Sequence, residues 1–410
     1  MGLNVSARSS PAWISTRHIP FEESVIREMT RLGDETGAIN LSQGLPELEP
    51  PPEVLAAAIQ AIQSGDNQYT FPFGAPALRQ AIAAKSARYN GIPADPETEV
   101  TVTCGVSEAL MATVLALAGA GDEVIILEPW YENYVPACRM AGAQPRFVPL
   151  REPDYTLDPD QLRAAFGDRT RLIILNTPHN PTGRVFSRAE LDTIAALCQE
   201  FDVVAVADEI YEHILYDGAR HVSIGSLPGM GGRTVTISGL GKTYALTGWR
   251  VGWAVAAEPL TALIRRVHDY LTVCAPAPLQ AAGVVALGLP PSYYERMRAQ
   301  YAALRTILLD ALDACGMAYR RPEGAYYVMA DVGGLSWNRE AFARPEWSLS
   351  RAFAQYMACE VGVAVVPGSS FYSGRGNNIS RVRFNFAKRE DTMREAARRL
   401  QRLRRQGRPA

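Results

Sequence analysis

The sequence predicts an α/β protein, a mainly parallel sheet covered by helices on both faces and followed by a smaller α+β unit. Three observations lead there. From residue 100 onward, short β-branched runs alternate with stretches of helical periodicity, the pattern of strands joined by crossover helices. After Pro290 that alternation gives way to one long helical stretch, a few strands and a closing helix. Hydrophobic residues make up 47% and charged residues 20% of the 410 residues, enough for a large core in a chain of two to three domains' length.

Taken in order, Ile39 to Pro52 is turn-rich, and its consecutive prolines at 50, 51 and 52 exclude a helix interior. The stretch after Glu53 reads as a helix stopped by Gly65. Strands are expected at Val100–Thr103, Val124–Leu127, Leu172–Leu175, Val203–Ala207, Thr234–Ile237 and Val251–Val255. Helices are expected at Ser107–Ala118, Leu162–Phe166, Arg188–Phe201, Leu260–Leu271 and Tyr293–Cys315. These divide the chain into an N-terminal segment at 1–50 that completes the small unit, a large domain at 51–290 and a small domain at 291–410. In such sheets ligands bind beyond the carboxyl ends of the strands, so the residues just after each apolar run are the ones to inspect.

The bulk chemistry excludes several functions. Acidic and basic residues nearly cancel, 43 against 41, so no net field favours nucleic acid or membrane. The basic concentration at Arg394–Arg408, with Arg398, Arg399, Arg402, Arg404 and Arg405 beside Met393, Leu400 and Leu403, reads as an amphipathic helix with a solvated cationic face. Six scattered cysteines form neither zinc spacing nor a disulfide framework, which fits a reducing compartment. The start matches an N-myristoylation pattern at Gly2 and Ser6 and a sequon at Asn4, but short patterns of this kind recur by chance. No apolar run is long enough to span a bilayer, and a cytoplasmic location is expected.

Three strand ends carry the distinctive chemistry. Asn176-Thr-Pro-His-Asn-Pro-Thr-Gly183 follows one run, and Asp208 ends the next, 28 residues after Asn180, within Ala-Asp-Glu-Ile-Tyr211. Ser238-Gly-Leu-Gly-Lys242 follows a third, with Arg250 eight positions after Lys242. Further elements lie at 41–47 (LSQGLPE), Tyr69-Thr, Gly105-Val-Ser107, Pro129-Trp-Tyr131, Pro322-Glu-Gly-Ala-Tyr-Tyr327, Val366–Phe371 and Arg383-Phe-Asn-Phe-Ala387. As an ordered set running from about residue 20 to about 400, these resemble the aminotransferase class I/II family of fold-type I pyridoxal-phosphate enzymes. The resemblance implies a seven-stranded sheet in the cofactor-binding domain, the cofactor pyridoxal 5′-phosphate, amino acid and 2-oxo acid substrates, and a homodimer with shared active sites. No metal is implied.

Residue chemistry agrees with the implied roles. Lys242 is identified as the Schiff-base lysine, since an amine beside a cationic cofactor in a partly desolvated site loses its proton near neutrality. A P-loop would need glycine at position 236, where the chain has threonine. Asp208 follows apolar residues, where a carboxylate is costly unless paired; the implied role is to keep the pyridine nitrogen protonated, the alternative a structural turn cap. Asn180 and Tyr211 resemble donors to the cofactor's phenolic oxygen, although a tyrosine there is by default core. Gly105, Val106 and Ser107 match a phosphate turn at a helix start, where free amides favour an anion, and Arg250 its bidentate arginine. Tyr69 matches the tyrosine that reaches the neighbouring subunit's phosphate. Ser238 stands where relatives carry cup serines closer to the lysine, and Gly239 and Gly241 put its role in doubt. Tyr131 corresponds to the ring-stacking aromatic, with Trp130 turned away. Arg383, rather than Arg381, matches the clamp on the substrate carboxylate, with Gly44 allowing close backbone approach. His179 reads as packing.

Among relatives, the texture resembles the kynurenine/glutamine transaminase branch, which implies aromatic, sulfur-containing or glutamine-like side chains. Val273–Pro278 carries no basic residue, which argues against aspartate. Trp13, Phe21, Tyr131 and Tyr372 could line an apolar pocket. A C–S β-lyase, cyclase or oxidase on the same scaffold would use the same residues. A transcription regulator would need a DNA-binding module ahead of the match, and fewer than about 40 residues stand there.

Overall fold

The β-branched runs form strands because both faces are covered, so every position can be apolar. Val100–Thr103 and Glu123–Glu128 are buried at every residue. A computed structural model describes residues 23–373 and 379–406. Its strands, in chain order, are β1 (Ile39–Asn40), β2 (Val100–Thr103), β3 (Glu123–Glu128), β4 (Gln144–Pro149), β5 (Thr170–Asn176), β6 (Val204–Asp208), β7 (Thr234–Gly239) and β8 (Gly252–Ala256). Then follow β9 (Ala318–Tyr319), β10 (Tyr327–Asp331), β11 (Val363–Ala364), β12 (Val366–Pro367) and β13 (Arg381–Asn385).

Seven strands make the large sheet in the order β2-β8-β7-β6-β5-β3-β4. Only β8 runs against its neighbours, so the sheet is mainly parallel, as the alternating pattern predicts. All six expected strands are present, with bounds shifted by a residue or two. The seventh, β4, is absent from the pattern because it is an edge strand: Gln144–Pro149 alternates exposed residues with half-buried or buried ones and contains two prolines, tolerated where one row of amides has no ladder partner.

Local signals set the helix ends. The helix Pro52–Ser64 opens on a proline and stops at Gly65, whose φ of 101° a residue with a Cβ rarely adopts. Ser187 and Glu190 form a reciprocal capping box on Arg188–Glu200.

The smaller unit is an antiparallel sheet, β12-β13-β10-β9, packed with the helices Pro291–Cys315 and Glu390–Gln406. The closing helix buries Met393, Ala396 and Leu400 completely, while Arg398 and Arg399 pair with Glu395. The side chains of Arg404 and Arg405, and the start around Gly2 and Asn4, lie outside the described residues. Ile39 and Asn40 pair in parallel with Val363 and Ala364, so the N-terminal segment joins the small unit. Among the described residues no helix is long and apolar enough to cross a membrane.

One close approach governs the geometry above the sheet. Gly252 opens β8 opposite Thr103, and a Cβ there would lie 2.6 Å from the carbonyl carbon of Gly105 and from the amide of Val106. Both are backbone atoms that a rotamer change cannot move. We expect Gly252→Ala to destabilise the fold by about 1–3 kcal/mol, the range for overpacking. A urea midpoint unchanged from the parent would refute this.

Candidate active site

Because β8 is antiparallel, its start shares an edge with the carboxyl ends of β2, β3, β5, β6 and β7. At that edge the chain forms a cleft lined by Gly105, Val106, Ser107, Tyr131, Asn180, Asp208, Tyr211, Lys242 and Arg250. The small unit contributes Arg383, and the N-terminal segment contributes Gly44. Of the site residues expected from sequence and described in the structure, Ser238, Tyr69 and Tyr372 fall outside this lining.

Asp208 is the last residue of β6 and almost wholly buried. One carboxylate oxygen accepts from the Tyr134 hydroxyl at 2.8 Å; the other receives only a long contact, 3.4 Å, from the Ile210 amide. Burial raises its pKa to about 6, against the opposing effects of Tyr134 and Lys242. It is therefore a carboxylate short of a cation. Lys242 stands in the wall of the cleft and donates to the Gly44 carbonyl at 2.8 Å. Burial, with Arg383 and Arg250 nearby, lowers its pKa to about 8 despite the attraction of Asp208. A neutral amine is thus accessible close to physiological pH.

Gly105 precedes the helix Val106–Leu117 with φ 81°, and a Cβ on it would meet the Arg250 guanidinium at 2.5 Å. The glycine lets the arginine lie against the helix start, so free amides and a permanent cation face one spot. Arg250 is held there by the Thr247 carbonyl at 3.0 Å.

Arg383 is fully buried. It donates to Asn180 Oδ1 at 2.8 Å and to the Ser42 carbonyl at 2.5 Å, and its Nε has no partner. The rival Arg381 is already committed to Glu152 at 2.8 Å.

Ser238 needs correction. Its hydroxyl donates to Glu212 at 2.7 Å, away from the cleft, because neighbours in a strand face opposite sides. It belongs to a buried cluster in which Lys85 pairs with Glu212, and Asn90 bridges Glu212 at 2.7 Å and Glu209 at 3.1 Å. Ser223 and His221 bond to Glu209 at 2.7 and 2.9 Å. Burial would raise the Glu212 pKa, but chiefly Lys85 holds it down, at about 2. Glu209, Glu212 and His221 could geometrically hold a metal; the Lys85 ammonium already supplies that positive charge. Gly239 has no room for a serine, since its Cβ would meet the Val251 carbonyl at 2.8 Å.

Tyr69 is 82% exposed, on a segment whose Pro72 carbonyl bonds His268 at 2.8 Å. His179 is buried, bonded to Thr182 at 2.8 Å, and kept neutral by burial, which lowers its pKa to about 3. Trp130 stacks on Phe147 with centroids 4.7 Å apart, turned from the cleft as expected. Tyr372 bonds Glu152 at 2.8 Å and does not line the cleft; Trp13 and Phe21 lie outside the described residues. The sequence reading missed Tyr134, three residues after Tyr131, and Tyr327, which also lines the cleft.

Two outcomes follow. Asp208 binds its proton more tightly folded than unfolded, so its contribution is fully present below pH about 4 and lost as pH rises through about 6. Cofactor-free Asp208→Asn should then exceed the parent's unfolding free energy by about 2–3 kcal/mol at pH 7 and match it at pH 4; equal curves at pH 7 would exclude the strained carboxylate. Ser238→Ala should lose about 1–3 kcal/mol by leaving a buried carboxylate short of a donor, with cofactor affinity unchanged in a titration. Weakened affinity at parental stability would restore Ser238 to the phosphate cup.

Comparison with known proteins places the whole fold in a family. The profile of the family described as "Aminotransferase class I and II" matches residues 36–400. The structure of N-succinyldiaminopimelate aminotransferase from Mycobacterium tuberculosis superposes with a TM-score of 0.90 at 40% identity, covering 95% of this chain and 100% of that one. Kynurenine–oxoglutarate transaminase 1 of Mus musculus is 36% identical over 91% of this chain and 93% of its own length. Methionine aminotransferase of Escherichia coli is 35% identical over 93% and 96%. The chain thus has a solved counterpart over 95% of its length, and it belongs to the class I and II aminotransferases.

Proposed function

We propose that the chain moves an amino group between a 2-oxo acid and an L-amino acid with an aromatic, sulfur-containing or glutamine-like side chain, with pyridoxal 5′-phosphate joined to Lys242. The carrying observation is the set of unmatched charges in one cleft: a buried Asp208 lacking a cation, the depressed Lys242 amine and an Arg383 with an unpartnered Nε. These fit the cofactor's parts. Asp208 would hold the ring nitrogen, Gly105, Val106, Ser107 and Arg250 the phosphate, Tyr131 the ring face, and Asn180 and Tyr211 the phenolic oxygen. When bound, that group supplies an aldehyde for the Lys242 amine and an electron-accepting ring.

The chain's own residues supply the rest. Arg383, locked by Asn180 and Ser42, binds the α-carboxylate and sets the direction of the Cα–H bond. Lys242 Nζ, neutral at mildly alkaline pH, takes the Cα proton. Ile26 and Leu45 give the cleft an apolar side next to Tyr131, which supports the side-chain class, as do the kynurenine and methionine relatives. Tyr69, Phe71 and Tyr270, 82%, 59% and 92% exposed, support a second copy covering this surface, with Tyr69 reaching the partner's phosphate site.

Lys242→Ala should lower transamination by at least about 10²-fold, the usual contribution of a positioned base, and borohydride should label the parent at 242 but not the variant. Arg383→Lys should reduce kcat/KM by roughly 10- to 100-fold through loss of the bidentate contact. In a donor panel, aromatic, methionine and glutamine donors should bleach the visible band ahead of aspartate. Activity retained by Lys242→Ala, or aspartate leading the panel, would overturn the corresponding part.

A further inference from the structure

Tyr211 cannot satisfy its surroundings alone. Its hydroxyl carries one proton, and it lies 3.0 Å from the hydroxyl of Tyr327, a residue 116 positions away on β10. Both groups are buried, so each needs a partner. If Tyr211 donates into the cleft, its oxygen must accept from Tyr327; if it donates to Tyr327, it has nothing to offer a ligand.

The setting of Tyr327 decides between these. The Arg383 guanidinium lies over its ring, 4.4 Å from the centroid, and a cation there stabilises negative character on the phenol. Burial raises the pKa of both tyrosines, but Arg383 opposes the rise at Tyr327, whereas Tyr211 is pushed well above the usual phenol range. The more acidic phenol is the better donor. The neighbouring Tyr326 hydroxyl donates to the Gly44 carbonyl at 3.2 Å and also reaches Tyr327, where it favours negative character on that phenol. Gly44 itself leaves the needed space, since a Cβ there would sit 1.9 Å from the Tyr327 oxygen.

Resting on the proposed function, we infer that Tyr327 is a positioning residue: it donates to Tyr211 and so aims the Tyr211 proton at the cofactor's phenolic oxygen. Hydrogen bonds in series polarise one another, so the Tyr211 contact is strengthened and the negative charge on that oxygen is better neutralised. An imine formed between Lys242 and the cofactor would then hold its proton less tightly. Asp208, Lys242, Arg383, Tyr131 and Tyr326 also face this pair and stay in place in the variants below.

The test is the pH titration of the visible absorbance of resting, cofactor-loaded protein, which reads the imine proton without turnover. Tyr211→Phe should raise the midpoint, and Tyr327→Phe should raise it by a smaller amount, about 0.3–0.8. In the Tyr211→Phe background, Tyr327→Phe should add no further shift, because the donor it serves is gone. A coloured parent whose Tyr327→Phe variant titrates unchanged, or shifts equally in both backgrounds, overturns the inference and leaves the proposed function intact. A parent with no absorbance attributable to the Lys242 imine overturns both.

Discussion

The structure depends on holding ionisable groups at the tips of buried strands with fewer counter-charges than burial demands. Asp208 has a neutral hydroxyl where a cation would be favourable, and Lys242 a carbonyl where a carboxylate would be. Arg383 has two oxygens for a five-donor fork. Each deficit leaves in the cleft a charge that a ligand of opposite charge would relieve. The fold tolerates them because they sit on elements fixed by strand pairing, a sheet buried on both faces and a β13 paired on both sides. Functional groups on such elements keep their geometry even when it is unfavourable.

Topology explains why the groups converge. A parallel sheet delivers every carboxyl end to one edge, and the single reversed strand, β8, brings Arg250 to that edge from its start rather than its end. The turn at Gly105 and Val106 then lies across β8 so closely that Gly252 has no space for a side chain. The small unit completes the cleft through β13 and the N-terminal segment, so residues more than 300 positions apart, Ser42 and Arg383, share a hydrogen bond.

Much of this was legible in the sequence, for physical reasons that also mark the limits. The strands of the sheet interior announce themselves because burial on both faces demands unbroken apolar runs, whereas β4, half exposed and proline-bearing, has the composition of a loop. Asp208 and Arg383 stood out as charges inside apolar runs, and Lys242 through its place in the ordered set of motifs. Ser238 was misplaced because position along a strand says little about which face a residue serves until the register is known: Gly239 packs against Val106 and Gly252, while Ser238 turns to the opposite face. Tyr327 stood out only as the end of the Pro322–Tyr327 element and carried no assigned role, since an aromatic residue in a strand is ordinarily core, and its significance lies in partners contributed by β13 and the turn after β6.

The buried cluster behind the cleft belongs to the same design. An ion pair such as Lys85–Glu212 contributes little net stability, because desolvation offsets attraction, so stability alone does not account for it. Its placement does. Glu209 and Glu212 bracket Tyr211 in the turn that follows Asp208. Both carboxylates are bound on the far side by Lys85, Asn90, Ser223, His221 and Ser238. With those two anchored, the residues between them have one way to face, and Tyr211 is presented to the cleft where Tyr327 meets it. The charges hidden behind the sheet thus fix the direction of a neutral hydroxyl in front of it.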